Sequence, residues 1–371
     1  MYRTDRWPGA RHAPIVLALA LLTACTAPAP PVQPAATPQS KAAPQATADP
    51  GPPLQLRIAD GIAPPAALPQ SILSLAQQQG FFTREGLQVE IQSVNGTPAI
   101  ITAMRSGDVD VGIINSSDVI KLQAQKTLEM RVIGSPNGRN FWMIISRDSV
   151  GTVGELRGKA YAISRVGSED HALATTVLGS KGIDASEINF IALGIPNVRV
   201  QALVANQIAA TTTTIGTWVT IQHAPGVKIL VTPDDFWATA PLMSNVSAAT
   251  VGVVKDKPEA LRRYTRAMLQ TARYYAEHKA EWVRDMGTLR PDIQPTDLGD
   301  LWDQFKSAWA VNGQLNLTTF QKTSDYLYAT EDYRELPKLA LSDWIDPQFV
   351  DAALAQLGVY PGIDDPGRAV R

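Results

Sequence analysis

From Leu54 onward, apolar and polar positions follow two rhythms. Leu54-Gln55-Leu56-Arg57-Ile58-Ala59 has period two and predicts a strand, as does Leu87-Gln88-Val89-Glu90-Ile91. Between them, Pro69 opens a helical pattern with Ile72, Leu73, Leu75 and Ala76 on one face, closed by Gly80. Thr97 is placed to cap a second helix, with Pro98 in its first turn, Ile100, Ile101, Ala103 and Met104 apolar, and Gly107 as its stop. Residues 109–114 are largely apolar, as expected for a parallel strand buried on both faces. The βαβαβ order predicts an α/β lobe with right-handed crossovers.

The rhythm restarts after Ser146. A short helix over 151–159 leads into a strand at 160–163, then a helix over 168–179 and a strand over 188–193. A helix over 197–205 and a strand over 209–215 follow. This predicts a second lobe over 147–244. A strand over 248–254 then returns the chain, so that 54–146 plus 245–371 form lobe one. The chain is helical from Pro258, with Trp282, Trp302, Phe305 and Trp309 at core-like spacings. Each lobe is expected to be a mostly parallel sheet flanked by helices.

Ahead of the lobes, Arg3, Arg6 and Arg11 precede an apolar run from Ile15 to Leu22 that ends in small residues. This is the layout of a secretory signal peptide over 1–24, too short for the ~20 apolar residues of a membrane span. The run ends in Leu22-Thr23-Ala24-Cys25, and that cleavage site resembles the lipobox of bacterial lipoproteins, whose thiol is lipidated. The alternative is a general signal peptide whose cysteine falls there by chance. Cys25 is the only cysteine, so it has no disulfide partner within the chain. Residues 25–53 are Ala- and Pro-rich, with too little apolar surface to order themselves, and act as an extended leash of about 3.1 Å per residue. An exported protein results, lipid-anchored to a membrane and facing the periplasm or cell exterior.

Composition narrows the function. The chain is 45% hydrophobic and 18% charged with net charge −2, and without basic runs it is not expected to bind nucleic acid. His12, His171, His223 and His278 are isolated, without metal-ligand spacing, and no nucleophile elbow or phosphate loop occurs. No catalytic residue, cofactor or metal is expected.

Gln79-Gly80-Phe81-Phe82-Thr83-Arg84-Glu85-Gly86-Leu87-Gln88-Val89-Glu90 resembles a signature of the substrate-binding proteins of ABC importers. The branch is the SsuA/THI5-like one that includes nitrate, sulfonate, taurine and thiamine-precursor binders. Ser106–Gly112, Leu156-Arg157-Gly158-Lys159 and 345–350 match its pattern in order and spacing. The resemblance implies a type II-like periplasmic-binding-protein clamshell, monomeric, closing on a small molecule through two hinge crossovers and serving an ABC permease. It departs from the family near Ala209-Ala210, where an Asp is usual. Here Thr211 to Thr214 follow, which either line the cleft or simply suit a strand.

In open α/β sheets, ligands lie beyond the carboxyl ends of the strands, where helix N-termini expose unpaired N–H groups. In lobe one this selects Asn95, Gly96 and Thr97, and a loop of Asn115, Ser116 and Ser117; Thr97 and Ser117 serve equally as helix caps. In lobe two it selects Arg165, Gly167, Ser168 and Asn197, with Thr213 on the strand between. Arg165 can pair an anion with its planar fork, or merely meet solvent. Glu169 and Asp170 already satisfy the dipole of their helix, which argues against a strongly anionic ligand there. Phe141, Trp142 and Trp218 could stack on a planar ligand or pack the domain junction. The expected ligand is a small organic anion or planar heteroaromatic. A sensing lipoprotein and a THI5-like pyrimidine-forming enzyme are the rival functions.

Overall fold

Leu56 and Ile58 of β1 (Leu54–Asp60) are buried on one face of the strand while Gln55 is exposed and Arg57 half-buried on the other, as period-two alternation predicts, and Ala59 joins a second apolar cluster. The computed structural model describes residues 52–61, 65–94, 96–305 and 308–361; Cys25 and the leader lie outside them. β1 pairs in parallel with β2 (Leu87–Ser93), Leu54 opposite Leu87, and with β3 (Val111–Asn115), Ile58 opposite Val111. After β4 (Met130–Gly134) the chain crosses into a second sheet as β5 (Trp142–Arg147). That sheet is completed by β6 (Ala160–Ile163), β7 (Asn189–Ala192), β8 (Ala210–Thr214) and β9 (Val227–Val231), before β10 (Asn245–Thr250) returns to the first.

The orders are β2-β1-β3-β10-β4 and β7-β6-β8-β5-β9. β10 is antiparallel to both neighbours, and so is β5. Each sheet is therefore mostly parallel with one reversed strand, and the reversed strand is the one that has just crossed over. The lobe boundary falls earlier than expected at this point: Trp142–Arg147, read as the end of lobe one, pairs inside the second sheet.

The helices expected between Pro69 and Gly80, over 168–179 and over 197–205 are present as Ile72–Gln78, Glu169–Ser180 and Pro196–Val204, with departures elsewhere. The second helix spans Gly96–Ser106, which puts Thr97 inside the first turn instead of at the cap. Residues 248–254 are not one strand. The Thr250 hydroxyl accepts from the Val253 N–H, ending β10 and starting the helix Val251–Asp256. The long helix Pro258–Glu277 buries Leu261, Tyr264, Met268 and Tyr275 against the first lobe. Trp282, Phe305 and Trp309 are buried and in ring contact, as their spacing predicts, while Trp302 is half-buried and donates to the Tyr275 carbonyl at 2.7 Å.

Candidate functional site

Two chain crossovers join the lobes, and buried polar groups tie them to each other. Asn140 in the first donates to Ser244 Oγ at 2.8 Å and to the Leu242 carbonyl in the second. Ser135 Oγ donates to the Asn245 carbonyl at 3.0 Å. Arg139 pairs with Asp234 at 2.6 Å. Pairing these groups matters because an unpaired buried amide or hydroxyl costs about 1–3 kcal/mol; Arg139 Nε is buried without a partner.

β3 and β6 lead at their carboxyl ends into two helices whose N-termini meet at this junction. The first belongs to Ser116–Ala124, which follows β3 directly; the loop expected over Asn115–Ser117 does not exist because Asn115 itself is the cap residue. Ser116 is committed to the hinge: its N–H donates to the Ser244 carbonyl at 2.7 Å and its hydroxyl to the Met243 carbonyl. Ser117 Oγ instead crosses the junction and donates to Glu169 Oε2 at 3.3 Å. Asn115 Nδ2 lies 3.5 Å from Asp118 Oδ2.

The second N-terminus, at Glu169–Ser180, is held by a buried ion pair. Arg199, 1% exposed, pairs with Asp170 at 3.0 Å and donates to the Gly194 and Thr212 carbonyls at 2.7 and 3.0 Å. Asp170 also accepts from the Ser164 N–H at 2.8 Å and from Ser168 Oγ at 2.6 Å. Gly167, at φ +73°, turns the loop back so that its N–H reaches His171 Nδ1 at 3.2 Å. Asp170 thus faces inward and its neighbour Glu169 faces the other lobe. Glu169 Oε1 accepts from Ser244 Oγ, which also lies 3.4 Å from Trp142 Nε1. Burial pushes the Glu169 carboxyl up to about 7; the charges of Asp118 and Asp170 add to this, and the hydroxyls of Ser244 and Ser117 oppose it. Burial likewise raises Asp118, opposed by Arg165 and Lys121.

Further contacts close the lobes on each other. Tyr326 OH and Thr176 Oγ1 lie 2.8 Å apart, and His223 Nε2 is 3.0 Å from Asp297 Oδ1. Within the first lobe, Tyr333 OH donates to the Ser117 carbonyl at 3.1 Å. On the hinge's other side, Gly216 packs so tightly that a Cβ there would lie 2.8 Å from Leu68 Cγ.

Of the residues singled out from sequence, the structure brings Asn115, Ser116, Ser117 and Trp142 to the junction, with Arg165 near enough to act on Asp118. Arg165 is exposed, and its backbone carbonyl accepts from Ser168 Oγ at 2.6 Å. Ser168 is occupied within its own loop. Gly96, at φ +78°, and Thr97 stand at the carboxyl edge of β2; Asn95 lies outside the described residues. Asn197 is exposed at its helix start.

Three expectations are corrected. Phe141 is packed edge-on against Phe305 at 4.8 Å, so it is junction core. Trp218 is buried in the same cluster. Thr213 is fully buried opposite Met143, as the packing of a β-branched residue in an interior strand requires, so it does not line the cleft. Sequence reasoning missed Ser244, Asn140 and the Arg199–Asp170 pair, whose partners are distant in sequence. It passed over Glu169 as a mere dipole partner.

No group of three or more His, Cys, Asp or Glu side chains that could hold a metal occurs among the described residues. A family model described as NMT1/THI5 like matches residues 70–281, more than half of the chain. A Brucella abortus (strain 2308) protein named as a candidate binding protein is 24% identical over 198 residues, covering 52% of this chain and 59% of that protein. This chain thus spans less than two thirds of the curated relatives it matches. The alkanesulfonate-binding protein SsuA from Xanthomonas axonopodis pv. citri, solved bound to MOPS, aligns with TM-score 0.62 at 18% identity, over 80% of this chain and 99% of its own. The desulfurization enzyme DSZB aligns with TM-score 0.59 at 14% identity, over 82% and 99%. Two mixed sheets with reciprocal crossover strands, the sequence signature at Gly80–Glu90 and the family match agree: this chain belongs to the NMT1/THI5-like family.

Proposed function

We propose that this protein is an extracytoplasmic solute-binding lipoprotein that captures a small molecule between its lobes and delivers it to an ABC importer permease. The observation that carries this reading is the junction itself. Two helix N-termini from separate lobes converge beside a doubly crossed hinge, and hydroxyl, carboxylate and indole groups meet there. Ligand entry requires the Ser117–Glu169 and Tyr326–Thr176 contacts to part. Closure around the ligand then shifts the population towards the form that a permease recognises. Cys25 supplies the lipid anchor and residues 26–53 the leash.

A binding role without catalysis fits this chain better than a THI5-like enzyme. The cysteine-rich motif of that enzyme is absent, since Cys25 is the only cysteine, although the same architecture hosts an enzyme in DSZB. A ligand-sensing lipoprotein is the second reading, favoured only if the partner proves to be a receptor and not a permease.

A thermal-shift screen over sulfonates, nitrate, aromatic carboxylates, pyrimidines, organic cations and flavin precursors tests the function. A true ligand at 100 times its dissociation constant stabilises by about 2.7 kcal/mol. Turnover of any hit would overturn the non-catalytic reading. Cys25→Ser is expected to release the protein from membranes with ligand affinity unchanged; loss of affinity would displace Cys25 from its anchoring role.

A further inference from the structure

Two charged pairs at the junction are closed by direct contact. Asp170 has Arg199. Asp118 is in no ion pair among the described residues, but the positive charges of Arg165 and Lys121 act on it. Arg139 has Asp234. Glu169 accepts only two neutral hydroxyls, Ser117 and Ser244, and the charges that act on it, Asp118 and Asp170, are both negative. A carboxylate enclosed among protein atoms without a counter-ion is costly, and proteins keep such groups paired or hydrogen-bonded.

Aromatic side chains adjoin both serines. Ser244 Oγ lies against the Trp142 indole nitrogen, and the Ser117 carbonyl takes the Tyr333 hydroxyl. Tyr326 joins from the same side through Thr176, two turns along the Glu169 helix. Aromatic faces attract cations by their quadrupole, most strongly once water is excluded. Lys121 Nζ already sits 5.6 Å from the centre of the Tyr333 ring.

We infer that the ligand of the interlobe site carries a cationic nitrogen, an organic ammonium or amidinium, seated against the Glu169 carboxylate beside Trp142 and Tyr333, and that Glu169 is the residue which sets this specificity. The inference rests on reading the lobe junction as the solute site. It departs from a sulfonate-type ligand: an anion placed at Ser117 would meet Glu169 and Asp118 at close range, whereas a cation supplies the partner that Glu169 lacks. Opening the lobes frees Glu169 from Ser117, and closure on the cation restores an acceptor for that hydroxyl.

The test pairs cations with anions of matched size on the full-length protein. Benzyltrimethylammonium, phenethylammonium and benzamidinium are compared with benzenesulfonate, phenylacetate and benzoate by thermal shift, followed by titration calorimetry on any hit. At least one cation is expected to raise the melting temperature while its anionic counterpart does not. Glu169→Gln, an isosteric change, is expected to weaken that cation at least tenfold with the ligand-free melting temperature near wild type. Asp118→Asn is expected to weaken it less, about threefold, because the positive charges of Arg165 and Lys121 already act on Asp118. Stabilisation by the anions alone, or an unchanged affinity in Glu169→Gln, would overturn the inference. X-ray scattering separates its failure from that of the broader reading. Compaction with an anion leaves the solute-binding role standing and removes the cation; no binding and no compaction with any probe removes both.

Discussion

The two lobes share a strand order and arm their helix N-termini in opposite ways. In the first lobe the helix at Ser116–Ala124 opens with two hydroxyls, one bound to the hinge and one offered across the junction. In the second, the helix at Glu169–Ser180 opens with two carboxylates, one locked inward by Arg199 and one offered across. One lobe gives donors and the other an acceptor. Equivalent topology therefore does not mean equivalent chemistry, and the buried pair behind Glu169 is what makes the two differ.

The strongest way to break this asymmetry is to remove the lock. Arg199→Ala leaves Asp170 buried and unpaired, and is expected to cost about 3–5 kcal/mol by urea denaturation. A loss under 1 kcal/mol would mean that the pair does not hold the helix. Gly216→Ala comes next. Its methyl would press on Leu68, and overpacking of this kind costs about 1–3 kcal/mol; Leu68→Ala in the same background should recover part of that loss, and a simple sum of the two penalties would contradict the packing account.

Glu169 gives a pH signature. Its carboxyl titrates near 7 in this structure against about 4.3 when free, so the folded form binds the extra proton. The stability it contributes is fully present below about pH 4 and is lost as pH rises through about 7. Glu169→Gln should remove that slope from the ligand-free protein, as seen in melts at pH 4 to 8. An identical slope in the variant would place the titration elsewhere. The smallest effect is expected from His223→Ala: its ring is 75% exposed, and exposed pairs are worth under about 1 kcal/mol.

Much of the architecture was legible from local pattern. Period-two runs gave β1 and β2, and the Pro69 and Gly80 signals framed the first helix, because one-sided burial of a strand and helix end chemistry act within a few residues. The β5 boundary was not legible. Trp142–Arg147 reads as a continuation of the first lobe, and only pairing with Thr214 to Ala210, some seventy positions later, assigns it to the second. The site divides in the same way. Ser117 follows from the strand-end rule, and Trp142 from its place as an aromatic at the crossover. Ser244 and Arg199 acquire their roles from partners that the fold alone brings close. The four threonines read from sequence either as a cleft lining or as ordinary strand residues, and Thr211, Thr212 and Thr213 are interior to the sheet: Thr211 donates to the Ala162 carbonyl at 2.9 Å and Thr212 meets Tyr161 OH at 2.6 Å.

The central claim is that solute binds between the lobes and holds them together. Spin labels on cysteines placed at exposed Glu90 in the first lobe and Asn189 in the second, in a Cys25→Ser background, report the interlobe distance directly. Pulsed electron resonance should show a distribution with an extended population that collapses to one short distance when a stabilising solute saturates the protein. A distribution unchanged at saturation would contradict the account.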